Sequence, residues 1–559
     1  MKNRIKQYLL AASMCVGLTA CSDFFEPIPG VQFGLDETFA SKQRTEEYLN
    51  NVYSYVREVT DAIHPNTYGG IFTEASLDGA NRWNKTYAEW TNGSFNSASA
   101  QASEYFSKYY QAIAKASTFI QNVDKCTEAA ASTRGKWKSE ARALRAYYYF
   151  ELLRLYGPIP LIGEDPIPLD ASLEELIKER NSVDECVNFI ATELQSAIDS
   201  GDLLQRAGKA NLGRMDVATC MALKAKLYLY WASPLFNGNT DQASVKNKDG
   251  KQLFPQTEDH SKWTQTRDAY ERFMTFATGQ GYKLTEVYTN GKLDPYASCR
   301  AAGEFFTTTW EAADELIFVK LRDLYDYTYW VCPKFTDFQD TDVTGGGGYY
   351  TTQETVDLFF TKDGLTIEED PGYDKFEGIP GANNFTSGRY YDPNNPSRLY
   401  FDADKSKVLK QWKDREPRFY VNITYSGSIW LNEGKYNEEM RTDFTNGANG
   451  TCGKSKASGD CPDSGYLIRR GAKASNNNGS KHFSPVLRLA DMYLGYAEAL
   501  CMCSDLDNAL TYLNKIRVRA GIPEYTFTAT AGKITCPKTQ TDLLNRIRRE
   551  RLVELVFEW

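Results

Sequence analysis

The sequence predicts a mainly α protein: a scaffold of paired helices, interrupted by one long, irregular, loop-rich insertion carrying short helices and small hairpins. Three observations lead there. Apolar residues recur at steps of three and four over several stretches in the first half of the chain. The pattern returns in the last 80 or so residues. Between about 281 and 481 it fails, and Gly, Asn, Pro and Asp take over.

In order, Phe106, Tyr109, Ile113, Ala116 and Ile120 stripe a helix over 105–123, and Trp137, Ala141, Leu144, Tyr148, Leu152 and Leu155 stripe the next, stopped by Gly157 and Pro158. Ser182 with Glu185 three residues on forms a capping box. It opens a helix whose buried face is Val183, Val187, Ile190, Leu194 and Ala197. Another runs from Ala218 to Ala232 before Pro234, and a shorter amphipathic segment spans Trp263 to Ala277. Alanines recurring beside large aromatic rings let neighbouring helices approach and interlock. Successive helices of similar length resemble tetratricopeptide-like pairs, without a clean 34-residue sequence period.

The insertion is too long for one structureless loop. It holds the run Gly345 to Gly348 and the turn-rich Asp392-Pro393-Asn394-Asn395-Pro396. Tyr420 to Tyr425 is expected to be one strand of a hairpin. Beyond it, Val486, Ala490, Tyr493, Ala497 and Leu500 predict a helix, and Leu506, Leu510, Leu513 and Ile516 another, closed by Gly521 and Pro523. A last Arg/Glu-rich helix begins near Thr541 and is still running at Trp559, as in a truncated chain.

The first residues point to export. Lys2, Arg4 and Lys6 precede a mostly apolar run of about a dozen residues, too short to span a bilayer, which takes roughly 20. Leu18-Thr19-Ala20-Cys21 follows. That order is a secretory signal, and its last four residues resemble a bacterial lipobox; the alternative is an ordinary signal peptide with a chance cysteine. The lipobox implies cleavage before Cys21 and acylation of it. Asp23 and Glu26 in the tether that follows resemble the acidic export signals of Bacteroidota surface lipoproteins.

Composition narrows the functions. A net charge of −9 argues against nucleic acid, which requires a basic face to displace phosphate counterions. The three histidines, His64, His260 and His482, lie far apart, and neither HExxH nor CxxC occurs, so no metal site and no cofactor is expected. Cys452 and Cys461 bracket a Gly/Ser/Lys-rich loop and are the candidate disulfide; Cys501 and Cys503 are expected to pack as small apolar residues. Acidic pairs such as Glu74 with Asp78, or the run Glu368-Glu369-Asp370, are unremarkable among 73 acidic residues and do not define the two carboxylates of a glycoside hydrolase. No catalytic residue is assigned.

Four segments carry a family resemblance: Arg145 to Pro160 (RAYYYFELLRLYGPIP), Asp414 to Phe419 (DREPRF), Arg488 to Glu498 (RLADMYLGYAE), and Asn514 to Pro523 (NKIRVRAGIP) with Arg549 to Trp559 (RERLVELVFEW). With the lipobox, in this order, they resemble SusD/RagB proteins, Bacteroidota outer-membrane nutrient-binding lipoproteins. The resemblance implies a non-catalytic, cell-surface lipoprotein of the outer membrane. It would hold an oligosaccharide and deliver it to a SusC-like TonB-dependent transporter. A peptide ligand, as in RagB-like members, is the alternative, followed by a protein-only helical scaffold or a glycoside hydrolase. The expected organisation is a signal peptide (1–20), a lipidated tether (21–40), an N-terminal helical region (41–280), an irregular ligand-facing region (281–481) and a C-terminal helical region (482–559).

Glycan capture needs flat rings for the C–H face of a pyranose and polar side chains for its hydroxyls. The chain has 36 tyrosines and 10 tryptophans. Candidate ligand contacts are Asn81, Trp83, Tyr87 and Trp90 in a polar, glycine-bearing segment with weak helical patterning. A second group is Tyr325, Tyr327, Tyr329 and Trp330, where alternate spacing would align three tyrosines on one face of an extended run. Tyr296 and Trp310 are outlying candidates.

Overall fold

A computed structural model describes residues 34–57, 76, 78–82, 93–96, 98–99, 101–168, 171–303, 314–322, 325–335, 345–376, 378–431, 440–445, 452–453, 459–472 and 482–558. The N-terminal helices are α1 (Leu35–Ala40), α2 (Lys42–Ser54), α3 (Gln101–Asn122), α4 (Ala131–Tyr156), α5 (Val183–Asp199), α6 (Val217–Ala232) and α7 (Ser261–Gly279). The expected tether thus ends in helix, since α1 occupies 35–40. The caps follow the sequence. Ser182 Oγ accepts from the Glu185 amide while Glu185 accepts from the Ser182 amide, and Asp216 accepts from Thr219 N at 2.7 Å to start α6. Gly157 ends α4 at φ 68°, a conformation that disfavours any Cβ.

Successive helices from α3 to α7 pack against one another in turn, as paired repeats do. α4 lies in the middle and is buried over most of its length, including Arg145, which reaches Glu193 of α5 at 2.8 Å.

The middle of the chain builds a second core. β1 (Ala80–Asn81), β3 (Tyr349–Tyr350), β7 (Tyr466–Ile468) and β6 (Ile423–Tyr425) form an antiparallel sheet in the order β1–β3–β7–β6. β2 (Leu316–Arg322) pairs with β8 (His482–Arg488), and β4 (Arg389–Asp392) with β5 (Asn395–Asp402) as a hairpin. Short helices α8 (Pro295–Gly303), α9 (Tyr325–Val331) and α10 (Pro417–Asn422) lie between them. Two local expectations are corrected. Tyr420 to Asn422 belong to α10, because Pro417 sits at its first turn and presets the helical φ; only Ile423–Tyr425 is strand. Tyr325, Tyr327 and Tyr329 lie on α9 rather than on an extended run, so the two-residue alternation of a strand does not hold there.

The C-terminal helices α11 (Leu489–Met502), α12 (Leu506–Ala520) and α13 (Gln540–Glu554) complete the scaffold, α11 packing on α7. Val486 belongs to β8 rather than to α11, and α13 stops at Glu554, short of Trp559. Gly521 closes α12 in the left-handed conformation.

Where the two halves meet, charges are buried. Glu554 of α13 takes Arg488 at 2.7 Å and Arg418 at 3.1 Å, and also Arg519. Glu315 holds Arg488 at 2.8 Å and Arg519 at 3.2 Å; Glu550 holds Arg418 at 2.6 Å and Arg517 at 3.0 Å. All are essentially without solvent exposure. Burial disfavours the Glu554 carboxylate, but Arg519, Arg488 and Arg418 outweigh it and hold its pKa well below the ordinary range. Removing one partner leaves several charges buried and uncompensated. Glu554→Ala should therefore cost about 3–5 kcal/mol in urea unfolding, the range for breaking a buried pair; a loss under about 1 kcal/mol, as for a surface pair, would show the network to be dispensable.

Candidate functional site

In the second core, α8, β5, α10 and β6 enclose a cleft of about 220 Å³. Its wall is a row of tyrosines. Tyr400 stacks on Tyr420 at 3.9 Å between centroids with planes 10° apart, and Tyr296 lies 5.8 Å from Tyr400. The Arg398 guanidinium covers the Tyr296 ring at 4.2 Å. Tyr425, Trp430 and Arg469 complete the lining, with Arg469 5.5 Å from the Trp430 ring centroid.

Backbone bonds fix this wall. Ile429 N donates to Tyr400 O at 3.0 Å, Trp430 N to Met440 O at 2.7 Å, and Arg469 N to Asn422 O at 2.8 Å. Arg398 donates to Asp294 at 2.9 Å and to Asp392 at 2.6 Å. Burial alone would raise the Asp294 pKa, yet the Arg398 bonds and the Ala297 amide hold it down to about 2. Burial pushes the Tyr420 and Tyr425 hydroxyls well above their ordinary value, so both remain protonated. Tyr425 Oη, Trp430 Nε1 and Arg469 Nε are shielded from solvent and have no hydrogen-bond partner among the described residues. Buried polar atoms are normally satisfied, so a wall holding several unmet ones, Tyr400 Oη among them, is suited to a ligand.

A second, larger cleft of about 570 Å³ lies alongside, bordered by Trp412, Phe376, Phe444, Gln411, Asp357 and Lys375. The Trp412–Tyr425 ring pair, 5.0 Å apart, separates the two.

Of the sequence candidates among the described residues, Tyr296 alone lines the smaller cleft, and it is buried rather than presented as an open platform. Asn81, Tyr327, Tyr329 and Trp330 gather at the β1–β3 edge instead. Asn81 pairs with Tyr349, Tyr327 is buried with its hydroxyl on Arg470 O at 2.7 Å, and Tyr329 and Trp330 are half-buried, edge to face at 4.8 Å. A Cβ at Gly345 or Gly346 would collide with this pair, which accounts for glycine there. Tyr327 is thus held in the packing of α9, with Tyr329 and Trp330 half-buried beside it. Trp83, Tyr87, Trp90, Trp310 and Cys21 lie outside the described residues. The residues that sequence reasoning missed are Arg398, Tyr400, Tyr420, Tyr425, Trp430 and Arg469; the aromatic density from Tyr390 to Trp430 was their only signal.

The Cys452–Cys461 disulfide is not formed. Both cysteines are buried as thiols, and in a packed environment a thiol serves as a small apolar group. Cys501 is buried on α11 as expected. Of the acidic pairs, Glu369 bonds Arg546 at 3.1 Å, while burial pushes the Asp78 carboxyl up to about 6; Glu74 lies outside the described residues. Among the described residues no His/Cys/Asp/Glu group has metal-ligand proximity, and no helix is long and apolar enough to cross a membrane.

Comparison with known proteins agrees with this architecture. Residues 315–559 match the model of the SusD family, and residues 32–229 match a SusD-like model described as starch-binding associating with outer membrane. The chain belongs to the SusD/RagB family. Glycan binding and outer-membrane association are attributes of that family. A curated SusD-like protein of Bacteroides ovatus is 27% identical over 175 residues. The match covers 30% of this chain and 30% of that relative, so the chain spans less than a third of its length. The solved structure of BT4246 is 24% identical, with TM-score 0.73 over 93% of this chain and 87% of its own. A SusD-like protein of Bacteroides fragilis, BF3747, is 21% identical, with TM-score 0.66 over 94% and 87%. The SusD-like carbohydrate binding protein BF0978, also of Bacteroides fragilis, is 18% identical, with TM-score 0.62 over 93% and 85%. These structures share the fold.

Because Asp294 titrates below its unfolded value, the Asp294–Arg398 contribution to stability is complete above about 3.8 and is lost as pH falls toward 2. Acid unfolding followed by tyrosine and tryptophan fluorescence should show a shallower slope across that window in Asp294→Asn than in wild type. Equal slopes would mean that the pair contributes nothing to the wall.

Proposed function

We propose that this protein captures an oligosaccharide at the cell surface without transforming it and delivers it to a SusC-like TonB-dependent transporter. In this reading, acylated Cys21 holds it to the outer membrane. The observation that carries the reading is the tyrosine-walled cleft with unmet polar atoms at Tyr425, Trp430 and Arg469. Rings offer apolar faces to a pyranose, and the polar atoms suit its oxygens. Among the described residues that line the cleft none is a carboxylate, whereas glycoside hydrolysis uses two. BF0978, which has this fold, is named for carbohydrate binding. Asn81, Trp83, Tyr87, Trp90, Trp310, Tyr325, Tyr327, Tyr329 and Trp330 remain proposed further ligand contacts.

Calorimetry of the protein from residue 22 onward against plant, microbial and host oligosaccharides and oligopeptides tests it. At least one oligosaccharide should bind and be recovered intact. Tyr296→Ala should weaken binding about tenfold, since an aromatic contact contributes roughly 0.5–1.5 kcal/mol, with helical circular dichroism unchanged. Binding of oligopeptides alone, or release of shortened sugars, would contradict the reading.

A further inference from the structure

The smaller cleft is rich in donors and poor in acceptors. The Trp430 indole N–H can only donate, and the Arg469 guanidinium can only donate and is always charged. Both residues are more than nine-tenths buried. Ion pairing separates Arg469 from most buried arginines; Arg415, which also lacks an ion pair, is instead satisfied by the backbone carbonyls of Val356, Phe359, Phe360 and Gln411. Arg398 has Asp294 and Asp392, and Arg418, Arg488, Arg517 and Arg519 each have at least one glutamate. Arg469 forms no ion pair with any described residue; its guanidinium meets the face of Trp430 and acts on the neighbouring Tyr425 hydroxyl. Burying a cation without a counter-charge is costly, so proteins pair it or bring it an anion.

Two described carboxylates beside the cleft are already engaged. Asp294 and Asp392 sit behind Arg398 and are committed to it at 2.6–2.9 Å. The Arg469 backbone is pinned through its amide to Asn422, which keeps the side chain beside Trp430. Nor does the charge act at long range: the chain carries −9 overall, so this cation is a local contact.

We propose that the cleft selects an anionic saccharide, whose carboxylate or sulfate ester pairs with Arg469 and accepts the Trp430 N–H while its ring lies against the tyrosines. Planar guanidinium donors match such two-oxygen acceptors, and Tyr425 Oη, held protonated, can donate to a third oxygen. The proposal rests on the glycan-binding reading and adds the charge class of the ligand.

The test pairs matched ligands with two variants. Oligogalacturonides are titrated beside their carboxyl-reduced forms, and sulfated galactan oligosaccharides beside their desulfated forms, to separate the two sources of charge. At least one anionic member should bind at least tenfold tighter than its neutral counterpart. Arg469→Met and Trp430→Phe should each remove most of that difference, weakening the anionic member far more than its neutral counterpart. Without ligand, Arg469→Met should melt at the same temperature as wild type or higher, because an unpaired buried charge has been removed. An arginine that merely braces the fold would give a lower midpoint, which would overturn the proposal. Equal binding of charged and neutral forms would also overturn it while leaving glycan capture standing. Failure of every sugar, charged or neutral, would remove both, and binding of oligopeptide carboxylates alone would transfer the site to a different ligand class.

Discussion

The buried exchange of charge between Arg418, Arg488, Arg517 and Arg519 and the glutamates 315, 416, 550 and 554 decides how the two halves of this protein fit together. The partners come from five places in the chain: the start of β2, α10, the β8–α11 junction, α12 and α13. No pair of neighbouring elements could satisfy these charges alone. The network therefore forms only when the helical scaffold and the irregular region are both in place. Apolar residues would tolerate sliding; directional bonds between buried ions tolerate little.

That constraint reaches the cleft through short covalent paths. Arg418 is two residues from Tyr420 on α10, and α10 runs directly into β6 with Tyr425. Arg470, next to Arg469, contacts Glu558 just beyond α13, where Arg488 also arrives. The tyrosine wall and the Arg469 guanidinium are thus attached to the buried charge network. A preformed wall loses little freedom when a ligand arrives, which matters when few contacts must offset the ordering of a flexible saccharide.

Much of the scaffold was legible in the sequence. The stripes at Trp137–Leu155 and Val183–Ala197 and the Ser182–Glu185 box became α4 and α5 nearly as read, since local periodicity and capping act within a few residues. The segments carrying the family resemblance also became the charge network: DREPRF supplies Glu416 and Arg418, NKIRVRAGIP supplies Arg517 and Arg519, and RERLVELVFEW supplies Glu550 and Glu554. The cleft was not legible. Tyr296, Tyr400, Trp430 and Arg469 are brought together by contacts across more than a hundred residues, and no local spacing encodes them. The alternation at Tyr325, Tyr327 and Tyr329 misled for the related reason that a short aromatic run fits strand and helix alike until tertiary packing selects one. Cys452 and Cys461 show the same limit: flanking a loop does not make two thiols a bridge.

Together these features describe a molecule whose helical half gives rigidity and whose second core supplies a walled cleft with polar groups awaiting a partner. The most direct measurement is hydrogen–deuterium exchange of the protein with and without a bound oligosaccharide. The account predicts added protection at 295–303, 417–431 and 466–472, no change in α4 and α5, and an unshortened sugar at the end. Protection confined to the N-terminal helices, or a cleaved sugar, would contradict it.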